Sequence, residues 1–268
     1  MEHGRFEYSA IAKRPKWELP GGARVAVWVT PNIEHFHYDK PAMSLTPMTA
    51  GLRPDVLNYA WRDYGVRVGV WRLMEVLERQ GFVATAALNS EACQRYPAIV
   101  AEGNRLKWEW MAHGENNSSL LTGMPEDVER NIIQGVIDTI ARGTGKKPRG
   151  WLGPALTETD NTLDLLAEAG IDYVADWCND EQPYTMKTRS GSIVAMPYSA
   201  RDRRHSSLPA TRRLRRGLRA HDRRSVRYAL RGRWQATSGA FHRAAPLPCR
   251  PSVPRALSGT RACTHPQA

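Results

Sequence analysis

Glu34 and His113 are the two side chains of this sequence best placed by type and context to move protons at a buried carbonyl. Each follows a run that reads as a buried strand. Arg24–Thr30 (RVAVWVT) leads into Thr30-Pro31-Asn32-Ile33-Glu34-His35-Phe36, and Arg105–Ala112 leads into His113-Gly114-Glu115-Asn116-Asn117-Ser118-Ser119. A carboxylate can activate or position water, and an imidazole can take up and return a proton near neutral pH. Asn32, with backbone groups near Gly153, can hold a carbonyl or an oxyanion. Two more strand ends add polar groups. Arg149-Gly150-Trp151-Leu152-Gly153-Pro154 offers a cation and a sharp Gly-Pro turn, and Ile171–Trp177 delivers Asp176 and Trp177. The expected site is therefore Glu34, His113 and Asn32 as catalytic groups. Arg149 and Asp176 support it, and Gly153, Pro154 and Trp177 line the substrate pocket. A metal centre needs two or three His or carboxylate ligands. Glu34 and His113 supply two, with His35 and Glu115 as weaker extras, so no resident metal is expected; a divalent ion such as zinc lacks a full ligand set. A P-loop, a GxGxxG turn and a GxSxG elbow are all absent from the sequence, which leaves nucleotide and serine-hydrolase chemistry without support.

These groups need elements to position them. Val66–Gln80 has apolar residues at helical spacing, with Gly81 as its stop. Phe82–Leu88 reads as a strand, and Ser90–Glu102 as a helix interrupted by Pro97. Pro125–Arg142 reads as a helix with Glu126, Asp127 and Glu129 in its first turn and Gly143 as its close. A strand over Pro148–Leu152, a helix over Asp160–Ala169 ending at Gly170, and strands over Ile171–Trp177 and Ser192–Tyr198 complete the series. Strands alternating with helices predict a parallel sheet with crossover helices. Six strands in 200 residues fit most of an irregular (β/α) barrel, whose sites lie at the carboxyl ends of the strands.

The charge divides the chain. The 268 residues carry 38 Lys+Arg and 27 Asp+Glu, a net of +11. Seventeen of the basic and only two of the acidic residues fall in 201–268, so that segment carries +15 and the first 200 residues −4. The segment has no Ile, Met, Asn, Lys or Glu, and no strand or helix period persists in it. A shift of reading frame in GC-rich DNA accounts for that composition; a genuine basic tail and a second fold are the other readings. The expected organisation is a catalytic domain over 1–200 and an Arg-rich, poorly packed tail over 201–268. The mildly acidic body argues against a nucleic-acid partner. No run of about 18 apolar residues exists, so a membrane partner is not expected. Cys93, Cys178, Cys249 and Cys263 show no metal-binding spacing and read as reduced thiols of a cytoplasmic protein.

The order of motifs resembles the polysaccharide deacetylase superfamily. Asn-x-Glu at 32–34, Ala-His-Gly at 112–114, Arg-Gly-Trp-Leu-Gly-Pro at 149–154, Asp-Tyr-Val-x-Asp-Trp at 172–177 and Pro-Tyr-Ser at 197–199 carry the likeness over roughly residues 15–200. The branch it looks most like is that of the metal-independent allantoinases. The resemblance implies an irregular barrel of about seven strands and hydrolysis of non-peptide C–N bonds, in N-acetyl groups of sugars or ring amides of ureido compounds. The substrate it implies is a small molecule or carbohydrate, and a homo-oligomer is compatible with it. The superfamily's metal-dependent members carry Asp-x-Asp and His-x-x-x-His; Asn32 and Asn117 stand at two of those positions here. That departure points away from a metal-dependent deacetylase, the alternative reading, while the lack of the family's late Leu-His motif near 230–250 favours the frame-shift reading of 201–268. An inactive barrel with a basic nucleic-acid-binding tail is the further alternative.

Overall fold

The structure, a computed structural model, describes residues 3–23, 25–40, 47–49, 51–198, 234–237 and 240–243. Its frame is a seven-stranded sheet, β1 Asn32–Ile33, β2 Thr85–Leu88, β3 Glu109–Ala112, β4 Gly150–Trp151, β5 Tyr173–Val174, β6 Tyr184–Thr188 and β7 Gly191–Ala195, in the order β1-β2-β3-β4-β5-β7-β6. All neighbours are parallel except β6, which pairs antiparallel with β7 at the edge. Among the described residues β1 and β6 do not pair, so the sheet curves as an unclosed barrel wall. The helices are α1 Val56–Tyr64, α2 Val70–Gln80, α3 Ser90–Arg95, α4 Pro97–Arg105, α5 Glu126–Thr144 and α6 Thr162–Glu168.

Most predicted elements are present, with shifted ends. The first strand differs most: pairing begins at Asn32, beyond the expected Arg24–Thr30. Thr85 N–H still bonds Val29 O and Ala87 N–H bonds Pro31 O. A parallel ladder requires the N–H of residue 31 to return a bond to Thr85, and Pro31 has none. Gly143 does not close α5. The helix runs to Thr144 and is capped by Gly145 at φ 74°, while Gly143 lies where a Cβ would sit 2.4 Å from Cys93 Sγ of α3. Gly143 thus serves close helix packing. Pro97 splits the Ser90–Glu102 segment into α3 and α4, as its missing N–H requires. Helix α1 and strand β6 have no counterpart in the predicted elements. A π-helical turn, Gly65–Gly69, joins α1 to α2.

Residues 201–268 lie outside the described residues except for one antiparallel hairpin, Trp234–Thr237 (β8) with Ala240–Arg243 (β9). The reading of this segment as a tail or a frame shift otherwise falls on residues that are not described. Among the described residues no helix is long and apolar enough to cross a membrane.

The sheet has two different faces. Ile33, Ala86, Leu88, Trp110, Ala112, Trp151 and Val174 belong to the main core, together with Ile133, Val136, Ile137 and Ile140 of α5. The alternate residues Ala87, Met111, Leu152 and Ala175 form a smaller cluster with Trp28, Tyr173 and Tyr198. This inner face has small residues at its centre. Gly150 is one of them by necessity, because a Cβ there would lie 2.1 Å from the Tyr173 ring.

Candidate active site

Alternation along β1 and β3 puts Asn32, Glu34, Ala87, Met111 and His113 on the inner face, since Asn32 pairs with Ala87 and Ala87 with Met111. Glu34 and His113 meet there: His113 Nε2 lies 3.2 Å from Glu34 Oε1. His113 is fully buried, and the Glu34 side chain keeps 22% of its exposure. The other imidazole nitrogen, Nδ1, is 2.5 Å from Leu152 O. A carbonyl oxygen only accepts, so Nδ1 carries a proton. The Nε2···Oε1 contact is a hydrogen bond along which a proton can pass between the imidazole and the carboxylate.

Asn32 donates from Nδ2 to the same Glu34 Oε1 at 3.2 Å. Its Oδ1 is buried without a hydrogen-bond partner among the described residues. One of the two Nδ2 hydrogens is directed at Glu34, and Oδ1 is left as an acceptor that suits a substrate N–H.

The Leu152–Gly153 peptide links His113 to a second acid. Its carbonyl accepts from His113, and its N–H donates to Asp176 Oδ1 at 2.7 Å. Gly153 N–H is thus occupied, and Pro154 has none, so this turn does not provide the expected oxyanion donors. Gly153 is needed for the approach, since a Cβ would lie 2.6 Å from Thr157 O and 3.0 Å from Asp176 Oδ2. Pro154 packs on Gly114, where φ is +63° and a Cβ would meet the proline ring at 2.6 Å. The chain then passes through Ala155 and Leu156 at φ 57° and 59°, backbone strain concentrated beside the site. Asp176 is hydrogen-bonded to Glu158, whose carboxyl also accepts from Trp177 Nε1 at 3.1 Å. Burial foremost pushes Glu158 up to about 7, against the hydrogen bonds from Asp176 and Trp177, so this pair holds a proton near neutrality.

Two expected site residues lie elsewhere. Arg149 precedes β4 and pairs with Asp172 at 2.5 Å, both largely exposed at the amino end of the strands, opposite His113. The strand contains Gly150 and Trp151 and begins after Arg149. Trp177 packs edge-on against Phe6 and His3 of the amino-terminal segment and only its indole N–H reaches the Glu158–Asp176 pair. One residue without a sequence signal joins the site. Arg62 of α1 stacks over Phe36 at 3.8 Å and feels the charges of Glu34 and Asp55, while burial foremost holds its pKa below the usual arginine range. Only the fold brings α1 against the exit of β1.

A metal of the deacetylase type would use the positions of Glu34, His113 and Asn117. They do not fit one. His113 Nε2 is committed to Glu34, an amide N–H of Asn32 faces the same oxygen, and Asn117 Oδ1 accepts from Asn89 Nδ2 at 3.0 Å.

The comparisons with known proteins agree with the motifs. The family model described as polysaccharide deacetylase matches residues 59–174. No curated protein matches the sequence. Among solved structures, the chain is similar to a Mycobacterium smegmatis protein assigned as a polysaccharide deacetylase, at 24% identity and TM-score 0.61 over 80% of this chain and 76% of that one. It is similar to Puue allantoinase at 24% identity and TM-score 0.59, over 72% and 70% of the two chains. A probable polysaccharide deacetylase from Pseudomonas aeruginosa PAO1 shares 26% identity at TM-score 0.57, over 68% of this chain and 64% of that one. Residues 59–174 match the polysaccharide deacetylase family model, and the body of the chain shares its fold with these solved structures.

Proposed function

We propose that the chain is a hydrolase of non-peptide C–N bonds in a ureido or N-acyl small molecule, working without the deacetylase metal. The observation that carries the reading is the Glu34–His113 contact, beside Asn32 Oδ1, which has no partner among the described residues. Asn32 Oδ1 accepts the substrate N–H and so orients the scissile amide. Glu34 takes a proton from water as the water oxygen bonds to the carbonyl carbon. Negative charge collects on the former carbonyl oxygen, with the Arg62 guanidinium as the nearby cation to stabilise it. The C–N bond then breaks, and His113 passes its Nε2 proton to the departing nitrogen. A proton moving from Glu34 to His113 across their contact restores the pair, and the net change is water added across the amide.

Likeness to Puue allantoinase, together with Asn32 and Asn117 in place of acid and imidazole, favours a cyclic ureide over an N-acetylated sugar. Free Cys93 and Cys178 are in keeping with a cytoplasmic setting, and the acidic body favours a small molecule over nucleic acid. The test is turnover of a cyclic ureide and of an N-acetyl sugar by the full chain. We expect Glu34→Gln and His113→Asn each to lower kcat/KM by about 10²–10⁴. Near wild-type turnover in either variant, or no turnover of both substrate classes by the wild type, overturns the reading.

A further inference from the structure

On the helix side of the β1 exit, away from the Glu34–His113 contact, a second group of side chains converges. His35 and His37 come from the exit loop and Glu91 from the first turn of α3. One nitrogen of each imidazole and a carboxylate oxygen all lie within 4.8 Å of one another. We propose that His35, His37 and Glu91 bind a divalent transition-metal ion of the zinc class, two imidazoles and one carboxylate with the remaining positions open.

The distances suit an ion. His37 Nε2 lies 2.9 Å from Glu91 Oε2, and His35 Nε2 lies 3.8 Å from the same oxygen. Tetrahedral zinc with bonds of about 2.0–2.1 Å separates its ligand atoms by about 3.3 Å, so small rotations admit it. The supporting contacts are those of a metal centre. His35 Nδ1 pairs with the Tyr96 hydroxyl at 2.9 Å, which leaves Nε2 to face Glu91. Asn116 Nδ2 donates to Glu91 Oε1 at 2.7 Å and fixes the carboxylate. The loop backbone is held too: His35 N–H donates to Asn89 Oδ1 at 2.8 Å and His37 N–H to Ser118 Oγ at 2.9 Å. Such outer contacts orient ligands and raise affinity.

His35 and His37 also line a pocket of about 250 Å³ with Tyr38, Asp39, Tyr59 and Arg95, which leaves room for water or a small ligand in the open positions. Arg95 is the competing cation, 3.5 Å from Glu91 on its own helix, but its side chain is 56% exposed and can swing away. Bound metal would tie the loop carrying Glu34 to α3. Nothing in this site depends on the reaction proposed above.

The experiment is cobalt and zinc titration of the full chain after chelator treatment, read by calorimetry and by visible absorption of the cobalt form. Wild type is expected to bind about one equivalent with a ligand-field band from nitrogen and oxygen donors. His37→Ala and Glu91→Gln, both at part-exposed positions, are each expected to weaken binding about a hundredfold, and Asn116→Ala about tenfold. His113→Asn is expected to bind cobalt as wild type does. Circular dichroism shows that each variant is folded before it is scored. Wild type without the band, His37→Ala and Glu91→Gln binding as tightly as wild type, or loss of binding with His113→Asn overturns the proposal.

Discussion

Glu158→Gln tests the buried acid pair behind His113 through its effect on stability. The Glu158 carboxyl is pushed up to about 7 from 4.5, so the folded state holds its proton more tightly than the unfolded state does. The contribution of this proton is complete below about pH 4.5 and is lost as the pH rises through about 7. Each pKa unit corresponds to about 1.4 kcal/mol, so the shift is worth about 3 kcal/mol across that window. Glutamine keeps both contacts. Its amide N–H can donate to an ionised Asp176, and its oxygen accepts from Trp177 Nε1. It has no proton to lose.

The assay is urea denaturation of wild type and variant at a series of pH values from about 4.5 to 8. The two should be close in stability at the acid end. The variant should gain on the wild type by about 1.4 kcal/mol per pH unit up to about pH 7, then hold a constant lead. The difference is the quantity to read, because burial foremost also raises the Glu109 carboxyl, and that residue titrates alike in both proteins. A difference that does not change with pH would refute the shared proton in the Glu158–Asp176 pair.

Two further variants bear on packing and on the limits of the site. Gly143→Ala sets a methyl group 2.4 Å from Cys93 Sγ in the α3–α5 seam and should cost about 1–3 kcal/mol in urea denaturation, with Cys93→Ala restoring most of the loss; a neutral single variant would show the seam to be loose. Arg149→Ala removes one partner of an exposed ion pair at the wrong end of the strands, so stability should change by less than about 1 kcal/mol and turnover should not change at all. A tenfold loss of turnover would return Arg149 to the site.

The sequence made Glu34 and His113 legible because each directly follows a strand on its inward-facing phase, and alternation along a strand is a local property. Arg149 was misread because β4 has two residues, Gly150 and Trp151, too few to show which end is which. Arg62 and Glu158 were invisible for another reason. Both sit outside the strand ends, and only the packing of α1 on the β1 exit and the turn after Pro154 brings them near the acid–base pair. His35 read as a weak extra because its partner Glu91 is 56 residues away and reaches it only through the parallel pairing of β1 with β2. The edge strand β6 left no signal, since Tyr184–Thr188 has only Met186 fully buried and so lacks the apolar run that marks the inner strands.

The Leu152–Gly153 peptide explains why these scattered residues act as one unit. Its two ends are hydrogen-bonded by two side-chain pairs, His113 with Glu34 on one side and Asp176 with Glu158 on the other. Asp176 Oδ1, accepting from the Gly153 N–H, polarises the peptide and makes the Leu152 carbonyl a stronger acceptor for His113 Nδ1. The geometry around the peptide is built for this contact and tolerates no other residue: Gly153 has no room for a Cβ between Thr157 O and Asp176, and Gly114 has none against Pro154. The strained turn through Ala155 and Leu156 is what turns Gly153 N–H toward the acid and the Leu152 carbonyl toward the base.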